Sequence, residues 1–302
     1  MARLTISVRP ATRSDLPDIA RLHAAAFMSF EIYGWIMPDR ELYPEEFYRY
    51  LLLRDKLLFA EPHVRFLIAE APRMDVERAV AARAAKRAGK NRPPQSDLEA
   101  VRATASRRRD GADRQAQGQA SADPPAQEMV PLAFACYEAL GSIPLSARWR
   151  ADPSFPSTIA YIDRLLLPLQ RSYVRYFLNH VADYSAFTAL RARFAASFAD
   201  VPGEGLLHLQ FLITGPEYEG LGAGGKLLEW GQDLATRERL CLGLESSYRA
   251  RLFYERRGFR MVKELVIEEW KEGWKRETTR TPIMLWEPEG MEGVVDGWYA
   301  AR

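Results

Sequence analysis

The sequence predicts an α/β (α+β) fold, in which helices flank a central sheet. Short strand-like runs alternate along the chain with longer segments of helical periodicity. The chain has 302 residues, of which 47% are hydrophobic and 27% are charged, a composition typical of a globular protein with a sizeable core. Its 14 Phe, 13 Tyr and 7 Trp residues exclude disorder throughout the chain. No apolar run approaches the length of a membrane-spanning helix, so we expect no membrane partner.

The N-terminal part of the chain predicts three strands and two helices. The strands are expected at residues 6–11, 64–71 and 131–139. Ser14 or Asp15 is suited to cap the first helix, which carries Pro17 in its first turn. A second helix is predicted from about residue 44 to 58, and residues 30–38 are expected to form an aromatic loop between the two helices.

Residues 72–127 differ in composition from the rest of the chain. These 56 residues contain no aromatic side chain, and residues 73–114 carry 12 Lys or Arg against 6 Asp or Glu. Such a segment cannot bury enough apolar surface to offset the entropy of ordering. We therefore predict a mostly disordered basic insertion at a hairpin tip, with one helix around residues 75–88. A solvated linker is favoured over a nuclear or nucleic-acid tether, so nucleic acid is not an expected partner.

Residues 141–205 predict a second insertion, which is folded and helical. One apolar stripe at helical spacing runs from Tyr161 to Val181, and Pro168 is expected to kink or split that helix. A second stripe starts at Tyr184 and reaches Phe198. Because both stripes are apolar, we expect them to pack against the rest of the protein. The chain is otherwise predicted to be a single domain.

A glycine-rich turn between a strand and a helix is the first chemical signal. The strand is predicted at residues 206–213, and the glycines at 220, 222, 224 and 225 lead into an apolar helical pattern. Backbone N–H groups at such a helix start, together with the helix dipole, bind phosphate. The spacing matches neither the dinucleotide fingerprint nor the P-loop. Glycines that serve only close packing are the alternative.

The segment that follows adds a second signal. A strand is predicted at residues 240–247, followed by a helix that contains Tyr254 and is closed by Gly258, after which a further strand begins at Phe259. Together with Glu219-Gly220-Leu221-Gly222-Ala223-Gly224, the blocks Leu244–Ser247 and Phe253–Phe259 resemble the GCN5-related N-acetyltransferase (GNAT) superfamily. The start Val8-Arg9-Pro10-Ala11 is similar to the first strand of that family. The two long insertions are similar to those of fungal members.

The resemblance implies the details of the fold and of the cosubstrate site. The sheet would be mixed, largely antiparallel, and splayed between strands 4 and 5, with acetyl-CoA in the split. The backbone of residues 212–214 would pair with the pantetheine chain as an added strand. The amides of residues 221–225 would hold the pyrophosphate. The residues so implied in CoA binding are Leu212, Ile213, Thr214, Glu219, Gly220, Leu221, Gly222, Ala223, Gly224, Gly225 and Ser247.

The same resemblance places Tyr254 near the CoA sulfur. A tyrosine has an ordinary pKa near 10, so its hydroxyl stays protonated at neutral pH and can protonate a departing thiolate. The alternative is an aromatic residue that only packs on the sheet. An attacking amine must also lose a proton, and the sequence offers more than one candidate base. Gln210 stands where many relatives have a carboxylate. His208 and Glu138 are candidate bases, and a water chain is a further possibility.

The remaining histidines, the cysteines and Glu219 have no predicted part in the reaction. His23, His63 and His180 are expected to have no catalytic function. Glu219 replaces an Arg or Gln of the family pattern, and a carboxylate close to a pyrophosphate is unfavourable. We expect its side chain to point to solvent, with Lys226 available to offset the charge. Cys136 and Cys241 are predicted to be buried, reduced thiols, as in a cytoplasmic protein, with the nucleus as an alternative compartment.

The predicted function is therefore acetyl transfer from acetyl-CoA to an amine, without a metal. A small molecule is the favoured acceptor, because the helical insertion can narrow the acceptor side. A protein N-terminus or lysine is the second acceptor class. A non-catalytic acyl-CoA-binding protein is the alternative from a different class, and Glu219 and Gln210 are the features that support it.

Overall fold

A seven-stranded sheet forms the centre of the fold. The computed structural model describes residues 4–90, 128–152, 157–177, 180–195, 197–198, 205–269 and 277–300. The strands are β1 (Ser7–Pro10), β2 (Val64–Pro72), β3 (Met129–Gly141), β4 (Gly205–Thr214), β5 (Leu242–Glu245), β6 (Arg260–Glu269) and β7 (Glu277–Trp286). Their order in the sheet is β1-β2-β3-β4-β5-β7-β6.

The strand directions are mixed and largely antiparallel, as predicted. β1 with β2, β3 with β4, β5 with β7 and β6 with β7 are antiparallel pairs, whereas β4 and β5 run parallel. Only three residue pairs join β4 to β5, from Leu207–Leu242 to Leu209–Leu244. The predicted fold class, with a sheet splayed between strands 4 and 5, is therefore confirmed.

Helices alternate with these strands along the chain. Their bounds are α1 (Leu16–Phe27), α2 (Glu31–Ile36), α3 (Pro44–Phe59), α4 (Arg73–Lys90), α5 (Pro144–Ala151), α6 (Ser157–Phe177), α7 (Tyr184–Ala195), α8 (Ala223–Glu238), α9 (Tyr248–Glu255) and α10 (Val294–Ala300). The predicted start of the first helix is confirmed, with Asp15 at the N-cap position and Pro17 in the first turn, although the Asp15 side chain makes no capping hydrogen bond. The loop predicted over residues 30–38 is wrong in part, because Glu31–Ile36 form α2.

Two apolar clusters hold the helices near the site. One joins α1 to the inner face of the sheet through Leu16, Ile19, Phe134 and Cys136. The other joins α2, α3 and α7, with Ile36, Phe47 and Leu190 among its buried members. Cys136 and Cys241 are both free and buried, as predicted.

Contacts divide the chain into two compact units. One contains Met1–Thr5 and Ala71–Val130, and the other contains Ile6–Glu70 and Pro131–Arg302. In the first unit, the helix expected around residues 75–88 is confirmed as α4. Arg73, the first residue of α4, contacts Glu128 in two ways. Its backbone N–H donates to the Glu128 carbonyl oxygen at 2.8 Å, and its guanidinium donates to the Glu128 carboxylate. The prediction of disorder for residues 91–127 lies outside the described residues, and the assignment of a single domain with two insertions stays a prediction.

The helical insertion differs from the prediction in two ways. Pro168 does not split its helix, because α6 runs from Ser157 to Phe177 with the proline inside. The predicted stripe is also not the buried face: Tyr161, Leu165, Leu169, Tyr173, Tyr176 and Phe177 are between 55% and 72% exposed. The buried residues of α6 are Ala160 and Leu167, on a helix that packs against α3. Leu165, Leu166 and Leu167 are consecutive, so periodicity cannot select the buried face.

Candidate active site

The divergence of β4 from β5 exposes one backbone edge of β4. Beyond Leu209, β4 continues to Thr214 and is paired with β3 on its other edge, where Leu212 faces Ala135 and Thr214 faces Ala133. The edge that faces β5 is not bonded to it over these residues. An extended chain that presents amide groups can pair with such an edge. The predicted role of residues 212–214 therefore fits the backbone that the sheet presents.

The glycine-rich turn leads directly from this edge into α8. Gly222 is the N-cap residue, with φ of 101°, a left-handed conformation that favours glycine. The first bond to the helix joins Lys226 N–H to the Gly222 carbonyl oxygen, so the amides of Gly222 to Gly225 lack a partner within α8. The Leu221 amide differs from the prediction, because it donates to the Tyr218 carbonyl oxygen at 3.2 Å.

The turn leaves room for a ligand. A Cβ placed on Gly222 would meet no atom within 4 Å, and one on Gly224 would lie 3.2 Å from Thr214 Oγ1. A Cβ on Gly225 would lie 3.1 Å from the guanidinium of Arg257, so this cation stands beside the helix start. Sequence reasoning missed Arg257, although it belongs to the Phe253–Phe259 block. Free amides, a helix start and an adjacent cation fit a pyrophosphate.

A single cavity of about 2040 Å³ connects these features. It runs from the glycine-rich turn along β4 to α3, α6 and α7. The sequence-predicted site residues that line it are His208, Gln210, Leu212, Ile213, Thr214, Glu219, Gly220, Gly222, Ala223, Gly224, Gly225, Ser247 and Tyr254, together with Glu138. Leu221 is the one predicted site residue outside this lining. The structure thus brings together almost the whole predicted set, whose individual roles stay predictions.

Glu219 is partnered rather than directed at the helix start. Arg249 donates to both of its carboxylate oxygens, at 3.0 and 2.9 Å, and the Glu219 side chain is 43% exposed. Lys226 does not offset this charge, because its ammonium group lies 2.6 Å from Glu229. The Glu219 side chain is partly exposed, as expected, and it forms an ion pair with Arg249 that the sequence did not indicate.

We expect Glu219→Gln to change CoA affinity by less than about threefold, because Arg249 already compensates the charge and exposed ion pairs contribute little. Arg249→Gln is the matched variant, since it leaves the Glu219 charge without its partner and should weaken CoA binding more. Calorimetric titration of both variants with CoA measures the difference. A loss of more than tenfold in Glu219→Gln would contradict the assigned orientation.

Tyr254 lies on α9 at the wall of the cavity. Ser247 begins this helix as its N-cap residue, with its hydroxyl accepting the Ala250 N–H at 3.2 Å. Tyr254 is 7% exposed and packs edge-on against Phe253 and Phe259. Burial raises the pKa of Tyr254 above its ordinary value, against the opposing effect of Arg257. Its hydroxyl is therefore protonated at neutral pH.

The second polar group of the cavity is centred on Glu138 of β3. The Glu138 carboxylate accepts from His63 Nε2 at 3.1 Å and from the Gln210 amide, and it lies 3.6 Å from His208 Nδ1. His208 Nε2 lies 2.7 Å from Glu245. Burial would raise the pKa of Glu138, but the nearby His208 and the hydrogen bonds from His63 and Gln210 outweigh it and hold that pKa well below its ordinary value.

His208 is enclosed by two carboxylates. Burial would lower its pKa, but the charge of Glu245 and the interactions with Glu138 outweigh burial and raise it to about 9. At neutral pH the imidazole is therefore mostly protonated. It can act as a base only in its minor neutral form, so the predicted role of His208 has a clear pH signature. Glu138, with its lowered pKa, is a weak base.

A β-bulge explains why Gln210 reaches this group. Cys136 pairs with Phe211 and Tyr137 pairs with Leu209, so Gln210 has no opposite residue on β3. A bulge breaks the strict alternation of side chains along a strand. As a result, Gln210 contacts Glu138 while the adjacent Phe211 packs at 5.0 Å from the ring of His23.

Of the three histidines expected to have no catalytic function, only His63 lines the cavity. His63 lines the cavity and bonds Glu138, 75 residues away in the chain. His23 is fully buried and bonds Asp55 and Arg54. His180 bonds Glu46 at the surface, as a structural residue does. Arg54, which also lines the cavity, was not singled out, because nothing local in its helix distinguishes it.

The sheet that splays after its fourth strand, with a glycine-rich helix start beside the open edge, is the arrangement of the GNAT acetyltransferase fold. Residues 174–273 match the family model described as an acetyltransferase (GNAT) domain. The resemblance seen in the sequence is therefore confirmed over this part of the chain, which includes the glycine-rich turn and α9. The reaction of that family is acetyl transfer from acetyl-CoA.

Solved structures of acetyltransferases show a distant likeness. A histone acetyltransferase HPA2-related protein from Corynebacterium glutamicum is 15% identical, with a TM-score of 0.45 over 94% of this chain and 97% of that one. Arabidopsis thaliana NAA60 is 12% identical, with a TM-score of 0.41 over 95% and 99%. A mosquito arylalkylamine N-acetyltransferase-like protein is 11% identical, with a TM-score of 0.39 over 94% and 100%. Scores this low carry no information about the acceptor.

Further comparisons bear on partners and ions. No curated protein matches the chain. Within the described ranges, no helix is long and apolar enough to cross a membrane. The same part of the chain contains no group of three or more His, Cys, Asp or Glu residues arranged to hold a metal ion.

Proposed function

We propose that this protein is an N-acetyltransferase that moves the acetyl group of acetyl-CoA to the amine of a small molecule by direct attack in a ternary complex. One observation carries the proposal. A single cavity joins the free amides at Gly222–Gly225, the open edge of β4, Tyr254 and the Glu138–His208 group. This transfer requires a site that binds phosphate and a strand edge that pairs with the pantetheine chain. It also requires a proton donor and a proton acceptor.

The cosubstrate would be held by backbone at two places. The pyrophosphate would accept from the amides of Gly222–Gly225, with Arg257 adding a positive charge. The pantetheine amides would pair with the open edge of residues 212–214. When bound, acetyl-CoA supplies an activated acetyl thioester. Because backbone atoms make most of these contacts, the replacement of the family's Arg or Gln by Glu219 is tolerated.

Tyr254 would protonate the leaving group, the thiolate of CoA. Its raised pKa keeps the proton on its hydroxyl oxygen at neutral pH. That hydroxyl would donate to the sulfur as negative charge develops there, which lowers the barrier to departure. A buried position excludes water that would compete for the same bond.

On the acceptor side, the neutral form of His208 would take the proton of the amine. Its pKa of about 9 is close to that of an alkylamine, so the transfer costs little free energy once His208 is neutral. Glu138 and Glu245 hold the imidazole from two sides. Gln210 and His63 hold the Glu138 carboxylate in turn.

We expect kcat to rise about tenfold per pH unit from pH 7 and to level off near pH 9, because the base is active only when His208, with its pKa of about 9, is neutral. The acceptor for this measurement is an arylamine, whose own amine is unprotonated over the whole range. Glu245→Gln is the critical variant. Since the charge of Glu245 raises the pKa of His208, the midpoint of the variant should move to lower pH. An unchanged midpoint would assign the titration to another group.

A small-molecule acceptor is favoured because α6 and α7 line the cavity beyond the Glu138–His208 group. Thiol release from acetyl-CoA, measured with amines, an unblocked peptide and a lysine-containing peptide, tests the acceptor class. Release with small amines above that with either peptide is expected. Tight CoA binding without turnover of any acceptor would instead support a non-catalytic acyl-CoA-binding protein. A cytoplasmic location, supported by the two free cysteines, is part of the same proposal.

A further inference from the structure

Arg54 of α3 forms a polar group in the same cavity that is separate from the Glu138–His208 group. Its guanidinium lies over the ring of Phe211, 4.5 Å from the ring centre, and the side chain is 17% exposed. Nη1 donates to the Tyr33 hydroxyl, and Nη2 lies 2.5 Å from His23 Nε2. Nε is buried and has no hydrogen-bond partner among the described residues. The guanidinium therefore retains donor capacity beyond these two contacts.

Arg54 forms an ion pair with Asp55 but makes no hydrogen bond to that carboxylate. Burial lowers the pKa of His23 to about 4, so this imidazole is neutral. Its Nδ1–H donates to Asp55, 3.1 Å from both carboxylate oxygens, which leaves Nε2 to accept from Arg54. Arg54 Nε is 3.9 Å from Asp55, beyond hydrogen-bond distance. Arg54 thus lacks the bidentate carboxylate contact that arginine favours.

The bulge at Gln210 places this cation next to the reaction site. Gln210 bonds Glu138, and the following residue Phe211 stacks under Arg54. In a regular strand, two adjacent residues would point to opposite faces. Here Arg54 and the Glu138–His208 group contact consecutive residues of β4 and line one cavity.

The surrounding wall is positive and aromatic. Arg171 and Arg175 of α6 and Arg191 of α7 also line the cavity, and no carboxylate of the described residues forms an ion pair with them. The same cavity is also lined by the aromatic side chains of Phe27, Phe30, Tyr50, Phe187 and Phe194. Such a wall attracts an anion and packs an apolar body.

We propose that the acceptor amine also carries a carboxylate, that Arg54 binds this carboxylate, and that the aromatic wall packs against an apolar side chain of the acceptor. Apolar amino acids have this chemistry, with amine and carboxylate on one carbon. The amine would face Glu138 and His208, and Arg171, Arg175 and Arg191 would draw the anion into the cavity. This inference rests on the proposed function and specifies its acceptor.

The decisive experiment compares each of three amino acids with its carboxamide, which removes the negative charge and keeps the size. Leucine, phenylalanine and tryptophan and their amides are titrated calorimetrically into the CoA-loaded protein. We expect at least one acid to bind tenfold or more tightly than its amide. In Arg54→Met, that acid should lose the advantage while its amide binds as before. If no acid is favoured in the natural protein, or if Arg54→Met keeps the preference, the proposal is wrong.

Two further variants control for a purely structural role of Arg54. Arg40→Met removes another half-buried arginine, which bonds the Met28 and Met37 carbonyl oxygens and lies outside the cavity lining. It should keep the preference for the acid. Arg54→Lys should restore part of the preference if Arg54→Met does not fold, because the charge remains without the planar fork. A preference in Arg54→Lys equal to that of the natural protein would contradict guanidinium recognition.

The same ligands separate this inference from the proposed function. Acetylation of the amides at the same KM as the acids would leave acetyl transfer standing and overturn the carboxylate site. Acid binding that depends on Arg54, with no thiol release from any acceptor, would support the carboxylate site and overturn the transferase assignment.

Discussion

Replacing Tyr254 with phenylalanine is expected to lower kcat by roughly 100-fold or more, the usual effect of removing one positioned proton donor. The variant loses only the hydroxyl, so the ring contacts with Phe253 and Phe259 remain and the melting temperature should change little. CoA affinity should move far less than kcat, because the proton is given in the transition state.

Steady-state rates with two acyl donors test this role. The defect should shrink with a donor whose thiol is more acidic, since that leaving group needs less help. Tyr248→Phe is the matched control, because it removes a hydroxyl from the same helix, one that donates to Glu264. Its kcat should stay close to that of the natural protein. An unchanged kcat in Tyr254→Phe would return Tyr254 to a packing role.

Replacing Gly222 with valine is expected to weaken CoA binding on the order of 100-fold. The space next to Gly222 is open, and there the side chain would keep a phosphate from the amides of α8. Two lost hydrogen bonds to a charged group, at about 1.5 kcal/mol each, account for a change of this size. Calorimetric titration with CoA measures it.

Gly290→Val separates ligand blocking from backbone strain. Gly290 has φ of 83° and no atom within 4 Å of its Cβ position, as at Gly222, but it lies outside the cavity. Both variants should lose similar stability through the unfavourable φ. If Gly290→Val weakened CoA binding as much as Gly222→Val, the effect would be general destabilisation rather than exclusion of the pyrophosphate.

Most of the cosubstrate side of the site could be predicted from one continuous segment. The strand before the glycines, the helix after them and the position of Tyr254 all lie between residues 205 and 258, and the structure has them where expected. Each depends on residues a few positions apart: glycine for the left-handed turn at 222, and Ser247 as the cap of α9. The Leu221 amide escaped prediction because its acceptor, Tyr218, is set by the geometry of the turn.

The acceptor side could not be predicted in the same way. His63 gave no sign in the sequence that it lines the cavity, because its partner Glu138 is 75 residues away in the chain. The bulge that brings Gln210 to Glu138 could not be predicted from the order of polar and apolar residues along β4. On α6, consecutive leucines hid which face is buried, and the predicted stripe is exposed.

The sequence by itself determined the α/β fold class, the splayed sheet through its family resemblance, and the positions of the glycine-rich turn and of the helix that carries Tyr254. The helices, strands and turn follow from short-range periodicity and from the backbone preferences of neighbouring residues. Only the tertiary structure decided the pairing of Glu219 with Arg249, the enclosure of His208 by two carboxylates and the place of Arg54 in the cavity. Each of these depends on burial and on contacts across the chain, because the charge state of a group follows from the atoms packed around it.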